Sequence, residues 1–181
     1  MKRILIIAAS PRENGNSDKL AIYFSKGAKE SGNKATIIYL RHLNIHGCLG
    51  CEYCYEDKGR CCQKDDMQNI YRLLEQTDII VFATPIYYQA FPSQLKAFID
   101  RLYVTENRAF PINGSVLLAT YATPGKAMSK FTVNYFKILS EYHHWNVLGI
   151  ITKDSLDEKD DIVNDPVLLQ AYNMGLDIGK E

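Results

Sequence analysis

The sequence predicts an α/β protein, a three-layer α/β/α sandwich built on a five-stranded parallel sheet. Five short runs rich in Ile, Val and Leu are each bounded by turn residues, and within them apolar and polar positions do not alternate. The stretches between them carry apolar residues at helical spacing. Unbroken apolarity marks strands buried on both faces, as in a parallel sheet. Strand and helix alternate, and right-handed crossovers then lay helices on both sides. The chain, residues 1–181, is expected to form a single domain, long enough to bury its own core without disulfides or metal.

The first predicted strand runs from Arg3 to Ala9, and a helix with the stripe Leu20, Phe24 and Ala28 follows, stopped by Gly32. The second strand, Ala35 to Leu40, leads through a cysteine-rich segment to a helix carrying Met67, Ile70, Tyr71 and Leu74 inward. The third strand is Asp78 to Ala83, and its helix uses Leu95, Phe98, Ile99 and Leu102, with Ser93 as cap. The fourth strand is Ser115 to Tyr121. The helix after it spans about Met128 to His143, with Phe131, Tyr135, Phe136 and Leu139 inward. After the fifth strand, Val147 to Ile151, six carboxylates between Asp154 and Asp165 read as a solvated loop. Pro166 suits the first turn of a closing helix through Leu168, Leu169, Tyr172 and Leu176.

Lys plus Arg and Asp plus Glu number 21 each, so the net charge is zero. That balance argues against nucleic acid or an anionic membrane as main partner and favours a small ligand. The N-terminal apolar run is too short for a signal-peptide core or a membrane span. A cytoplasmic location is therefore expected, where clustered cysteines serve metal or redox chemistry more often than structural disulfides.

In open parallel sheets ligands sit at the carboxyl ends of the strands, so the loops after strands one, three and four hold the candidate site. The first, Ala9 to Leu20, joins strand to helix. It offers the short donors Ser10, Asn14, Asn16 and Ser17, the tight-turning Gly15 and the guanidinium of Arg12, beside amides at a helix start. A phosphomonoester fits this set. The patterns for a nucleoside triphosphate, G-x-x-x-x-G-K-[ST], and for a dinucleotide, G-x-G-x-x-G, do not occur there. After strand three come Thr84, Pro85, Ile86, Tyr87, Tyr88 and Gln89, with Tyr87, Tyr88 and Phe91 expected at the rim. These aromatics suit either a flat heteroaromatic ring or a core or subunit contact. After strand four, Tyr121, Thr123, Pro124 and Gly125 form a tight loop toward the same place. Asp100 and Arg101 read as a helix-surface ion pair, and His42, His46, His143 and His144 as non-catalytic.

Together S-P-R-x-x-G-N-S at Ser10 to Ser17, T-P-I-Y-Y at Thr84 to Tyr88, Q-L-K-A-F-I-D-R at Gln94 to Arg101 and C-x-K-D-D-M at Cys62 to Met67 resemble the NADPH-dependent FMN reductase family, close to its iron-sulfur flavoprotein and WrbA-like branch. The resemblance covers about residues 1 to 150. It implies the flavodoxin-like fold with strand order 2-1-3-4-5. It also implies FMN with its phosphate on Ser10, Arg12, Asn16 and Ser17 and its isoalloxazine against Pro85 to Tyr88, the loop from Tyr121 to Gly125 closing the far side. NAD(P)H would be the co-substrate, giving hydride to flavin N5, and the electrons would pass to a quinone, free flavin or other small acceptor. No acid, base or nucleophile is then obligatory. Relatives are commonly homodimers or homotetramers. A flavodoxin-type electron carrier is the competing class, although flavodoxins are usually strongly acidic and this chain is neutral.

All five cysteines lie between Gly47 and Cys62, and Cys48, Cys51, Cys54 and Cys61 read C-x2-C-x2-C-x6-C. Such a triplet can wrap three thiolates around a [4Fe-4S] cluster. Reduced thiols packed near the flavin or at a subunit contact, zinc, and a reversible disulfide are the other readings. In each of them the segment is expected beside the flavin edge or at a dimer contact.

Overall fold

Strand β1 (Arg3–Ala8) lies between β2 (Lys34–Tyr39) and β3 (Ile79–Pro85) and pairs in parallel with both, Ile6 facing Ile37 on one side and Val81 on the other. The computed structural model, which describes residues 1–180, continues the sheet through β4 (Gly114–Thr120) to β5 (Asn146–Lys153), in the order β2-β1-β3-β4-β5. Every pairing is parallel, with one register shift where Ser115 gives way to Val116.

Successive strand residues point to opposite faces and so feed two cores. On one face Ile4, Ile6, Val81, Ala83, Val116 and Leu118 meet α1 (Asn16–Glu30) and α6 (Val167–Asp177). On the other, Leu5, Ile7, Ile80, Phe82, Leu117 and Ala119 meet α3 (Met67–Leu74), α4 (Ser93–Arg101) and α5 (Lys130–Tyr142). Phe82 is the hub of this second core, with Phe91, Phe98 and Phe136 edge-on around it at 6.1–6.3 Å. A single turn of helix, α2 (Tyr53–Glu56), interrupts the long cysteine-rich connection.

Helices α1 and α6 touch backbone to backbone. A Cβ on Gly27 would stand 2.0 Å from the Tyr172 carbonyl oxygen, and one on Gly175 would stand 2.1 Å from that of Phe24. Only glycine at both positions permits this approach.

The structure departs from the sequence expectation at several elements. β5 is the edge strand of the sheet, and its Val147 and Leu148 are exposed. Phe131 points outward with Ile138 and Tyr142, each more than 60 % exposed, because the buried stripe of α5 is Thr132, Phe136, Leu139 and Ser140. Leu169 is likewise outward, and the buried stripe of α6 is Val167, Leu168, Ala171 and Gly175. Ser93 is the first residue of α4 rather than its cap, which is Pro92. Phe91 is buried against Phe82 and Tyr135 instead of lying on the rim.

Arg101 is not a surface residue. Its guanidinium is buried and forks onto both carboxylate oxygens of Asp65 at 2.6 and 3.0 Å, with a further bond to the His46 carbonyl at 3.0 Å. Asp100 pairs with Lys96 instead. Burial alone would raise the Asp65 carboxyl; the Arg101 fork and the amides of His46 and Met67 outweigh it and hold the group below the ordinary carboxylate range. This pair fastens the cysteine-rich connection to α4.

Candidate functional site

The loop after β1 leaves the sheet at Ala9, whose amide bonds the Ala83 carbonyl at 2.8 Å, and turns sharply before α1. The Ser10 hydroxyl holds that turn, accepting from the Arg12 amide at 3.1 Å and donating to the Arg12 carbonyl at 3.0 Å. Gly15 closes it; a Cβ there would stand 2.7 Å from the Ser10 hydroxyl oxygen. Beneath the loop, buried Asp18 pairs with Arg41 at 2.8 Å, and the same guanidinium reaches the Ser10 carbonyl at 3.3 Å. Burial is the larger influence on Asp18 and keeps its carboxyl above its ordinary range despite that partner.

A cavity of about 120 Å³ opens over this turn. Ser10, Arg12, Gly15, Asn16 and Ser17 form one wall, and Pro85 to Tyr87 with Thr120 to Ala122 form the facing walls. The Ser17 hydroxyl is buried and has no hydrogen-bond partner within the protein. A polar group so placed carries an unmet desolvation cost, which an anion's oxygen in the cavity would relieve. With the positive end of α1 and the Arg12 guanidinium alongside, this wall has the chemistry of a phosphate seat.

A third part of the enclosure comes from the acidic segment after β5, read in the sequence as solvated. Leu156 is buried and lines the cavity together with Asp157 and Lys159. Arg12 donates to the Asp157 carbonyl at 3.0 Å and Asn16 to the Glu158 carbonyl at 2.8 Å, while the Asn16 side-chain oxygen accepts from the Ile162 amide at 3.4 Å. Lys19 pairs with Asp160. The segment is therefore a clasp, holding the loop through the backbone carbonyls of Asp157 and Glu158 and through Asp160. The one sign of it in the sequence was the apolar pair Leu156 and Ile162 within an acidic run.

A second cavity of about 290 Å³ adjoins the first, sharing Ile86, Tyr121 and Ala122 as walls. Tyr88, Gln89, Thr123 and Met128 complete it. Its rim is a tight turn in which the amides of Tyr87 and Ala90 each bond the other's carbonyl at 3.0 Å. The two central residues, Tyr88 and Gln89, both have positive φ, 49° and 63°. Neither is glycine, so the turn is held against its preference; the Thr132 hydroxyl grips the Gln89 carbonyl at 2.6 Å. The Tyr88 side chain is left fully in solvent.

Of the residues singled out from sequence, Ser10, Arg12, Asn16, Ser17, Pro85, Ile86, Tyr87, Tyr88, Tyr121 and Thr123 line these two cavities. Three others stand behind the walls. Asn14 turns its carbonyl to Lys19 at 2.7 Å, and the Thr84 hydroxyl is spent on the Pro85 carbonyl at 2.9 Å. Gly125, at φ 104°, gives its amide to Asp154 at 2.7 Å and so ties the fourth loop to the clasp. Thr120, Met128, Leu156, Asp157 and Lys159 are wall residues that sequence reasoning missed, while Ala122 falls within the Tyr121–Gly125 loop expected there.

The cysteine segment is elsewhere. All five cysteines line a separate small cavity with Arg101, Tyr103 and Val104, and this cavity shares no lining residue with the other two. It is a cavity of its own within the single chain, distinct from the two over the β1 loop. Cys51 and Cys62 are 3.6 Å apart, sulfur to sulfur. Among the described residues no three Cys, His, Asp or Glu side chains are gathered as a metal site.

Residues 2–152 match the family model for NADPH-dependent FMN reductase. The chain belongs to that family. Among curated family relatives it is 38 % identical over 96 residues to an iron-sulfur flavoprotein of Archaeoglobus fulgidus, covering 53 % of this chain and 43 % of that protein. It is 30 % identical over 131 residues to an iron-sulfur flavoprotein of Clostridioides difficile, covering 70 % and 58 %. The chain thus spans about half the length of the curated relatives it matches. Its fold is that of an NAD(P)H:quinone oxidoreductase from Methanothermobacter marburgensis, with a TM-score of 0.79 at 18 % identity over 99 % of this chain and 97 % of the other.

Proposed function

We propose that this member of the FMN reductase family is an NAD(P)H-dependent FMN oxidoreductase that passes electrons to a small acceptor such as a quinone or a flavin. The observation that carries the proposal is the buried, unpartnered Ser17 hydroxyl in a loop whose Gly15 leaves space and whose helix start and Arg12 supply positive charge. Bound there, FMN would supply the two-electron chemistry that no side chain of the site can. Ser10, Arg12, Asn16 and Ser17 bind the phosphate, and the 154–165 clasp holds Arg12 and Asn16 in place. Pro85 to Tyr88 and Tyr121 to Thr123 form the seat for the ring. The strained Tyr87–Ala90 turn keeps Tyr88 in solvent, at the edge where NAD(P)H and acceptor would stack in turn. The neutral charge favours an enzyme over an acidic electron carrier. Family resemblance supports a homo-oligomer, and no helix among the described residues is long and apolar enough to cross a membrane. Rapid mixing of FMN-loaded protein with NADPH and with NADH tests the reading: flavin absorbance should bleach with at least one, and inertness toward both would leave only a carrier.

A second reading, an iron-sulfur flavoprotein, is favoured by the gathering of all five cysteines around one cavity and by the names of the curated relatives. The geometry fits it poorly. The cavity is about 20 Å³, room for about one water molecule, and the sulfur in contact with Cys51 is that of Cys62, which lies outside the C-x2-C-x2-C-x6-C set. Anaerobic purification with a visible spectrum and iron and sulfide assays separates the readings, since flavin bands without iron reject the cluster.

A further inference from the structure

The first turn of α1 holds opposing charges. Its free amides are the positive end on which the proposed phosphate seat relies, yet Asp18 lies in that same turn, buried and directly after Ser17. A helix start supplies about half a unit of positive charge, and a bare carboxylate, with a full negative one, would outweigh it. Arg41 supplies the counter-charge. It follows β2, the strand whose connecting segment reaches neither cavity among the described residues, and neither Arg41 nor Asp18 lines those cavities. The Arg41 guanidinium lies over the Tyr39 ring at 4.4 Å. One nitrogen, Nη1, reaches both the Asp18 carboxylate at 2.8 Å and the Ser10 carbonyl at 3.3 Å, and so joins the start of the phosphate loop to the first turn of the helix. Both side chains are largely withdrawn from water, so salt screens their attraction little. Asp18 Oδ1 and Arg41 Nε are buried without partners, which leaves the Nη1 contact to carry the pairing.

We infer that Arg41 is a positioning residue that sets the loop's affinity for phosphate, by cancelling the charge of Asp18 and holding the Ser10 carbonyl, an inference that rests on reading this loop as a phosphate seat. The role is electrostatic and therefore asymmetric. Loss of Arg41 leaves an unpaired carboxylate beside the phosphate, whereas loss of the Asp18 charge leaves the seat more positive. A pair that only braced the fold would weaken binding from either side. A stranded Asp18 also takes up a proton more readily, because burial holds its carboxyl above the ordinary range even with Arg41 in place. The neighbouring groups do not substitute for Arg41. Arg12 is turned to the Asp157 carbonyl, and Lys19 is paired with Asp160. Burial, and then the Asp18 carboxylate, raise the Tyr39 hydroxyl above its ordinary value, so Tyr39 is neutral at about pH 7.

The test is titration of FMN and of riboflavin against wild type and variants across a range of pH. At about pH 8 Arg41→Met should bind FMN about tenfold or more weakly and riboflavin with much less change, since only the phosphate meets the stranded charge. Toward about pH 5 the loss relative to wild type should shrink as Asp18 takes up its proton, and the ratio removes the phosphate's own titration. Arg41→Lys should keep most of the affinity. Asp18→Asn, nearly the same shape without the charge, should bind FMN at least as tightly as wild type. Arg41→Met combined with Asp18→Asn should recover most of the affinity and lose the pH dependence. Far-ultraviolet circular dichroism checks folding; if Arg41→Met fails to fold, Asp18→Asn and the double variant still decide between an electrostatic and a bracing role. Equal losses of FMN and riboflavin in Arg41→Met, or weaker FMN binding by Asp18→Asn, would overturn the inference. So would a pH dependence that persists in the double variant, which would belong to another group such as His42, edge-on to Tyr39 at 6.2 Å. Wild type that binds riboflavin as tightly as FMN refutes the phosphate reading and this one with it. Wild type that prefers FMN, with Arg41→Met preferring it equally, refutes only the role of Arg41.

Discussion

At the residue scale the site rests on a few polar atoms whose partners are unusual. Arg12 contributes one guanidinium N–H to the Asp157 carbonyl, has four further donors, and lines the cavity. Replacing it with Ala removes a charge-assisted hydrogen bond, worth roughly 1.5–3 kcal/mol, so FMN affinity should fall about ten- to hundredfold. Riboflavin, which lacks the phosphate, should lose much less, and titration of both flavins against wild type and variant measures the difference. Lys159 is the clasp's only cation at the cavity, and Lys159→Ala should show the same discrimination to a smaller degree. Arg101 makes a different prediction. Its removal strands Asp65, a buried carboxylate, and Arg101→Met should cost about 3–5 kcal/mol in urea unfolding. The pH dependence has a definite sign. Because the folded-state Asp65 sits below its ordinary value, its contribution is fully present above about pH 4 and is lost as pH falls through the lower folded value. The gap in urea midpoint between wild type and Asp65→Asn should hold from pH 7 down to about 4 and shrink below it.

Among elements, the contact of α1 with α6 positions the phosphate loop, since α1 begins at that loop and its orientation is set by Gly27 and Gly175. A methyl group at either position meets carbonyl oxygen, which cannot move aside as a side chain does. Gly175→Ala should therefore destabilise the protein by about 1–3 kcal/mol or more, despite the higher helix propensity of Ala, and chemical denaturation reads the sign directly. The clasp is the second element with a function of its own. Leu156 anchors it against the core that α1 shares, and Leu156→Ala should cost about 2–5 kcal/mol or, if the clasp detaches instead, a smaller stability loss with weakened FMN binding.

For the whole molecule, the proposed ligand site lies where three loops and the clasp converge from the carboxyl edge of the sheet, so binding there would join segments distant in sequence. FMN at a hundred times its dissociation constant should stabilise the fold by about 2.7 kcal/mol, and at roughly 2–4 °C per kcal/mol for a chain of this size thermal unfolding should rise by about 5–10 °C. Inorganic phosphate alone should give a smaller rise in the same direction. A molecule whose melting point ignores FMN would not have the proposed site.

The alternation of apolar runs and helical stripes determined the layer architecture, because burial on both faces and period 3.6 are local properties of the chain. The candidate phosphate loop could be proposed from sequence for a similar reason: Ser10, Arg12, Gly15 and Ser17 fall within one short stretch between strand and helix. What lay beyond the sequence were pairings across long separations. Arg101 looked like the neighbour of Asp100 until folding placed it against Asp65, and the acidic segment looked solvated until Arg12 and Asn16 took its carbonyls. Phe131 fits a helical stripe as well as Phe136 does, and only packing against the sheet decided that Phe136 meets Phe82 while Phe131 meets solvent. Periodicity says which residues share a face, but the packing of distant elements decides what that face meets, and desolvation makes only the paired arrangement of charges affordable.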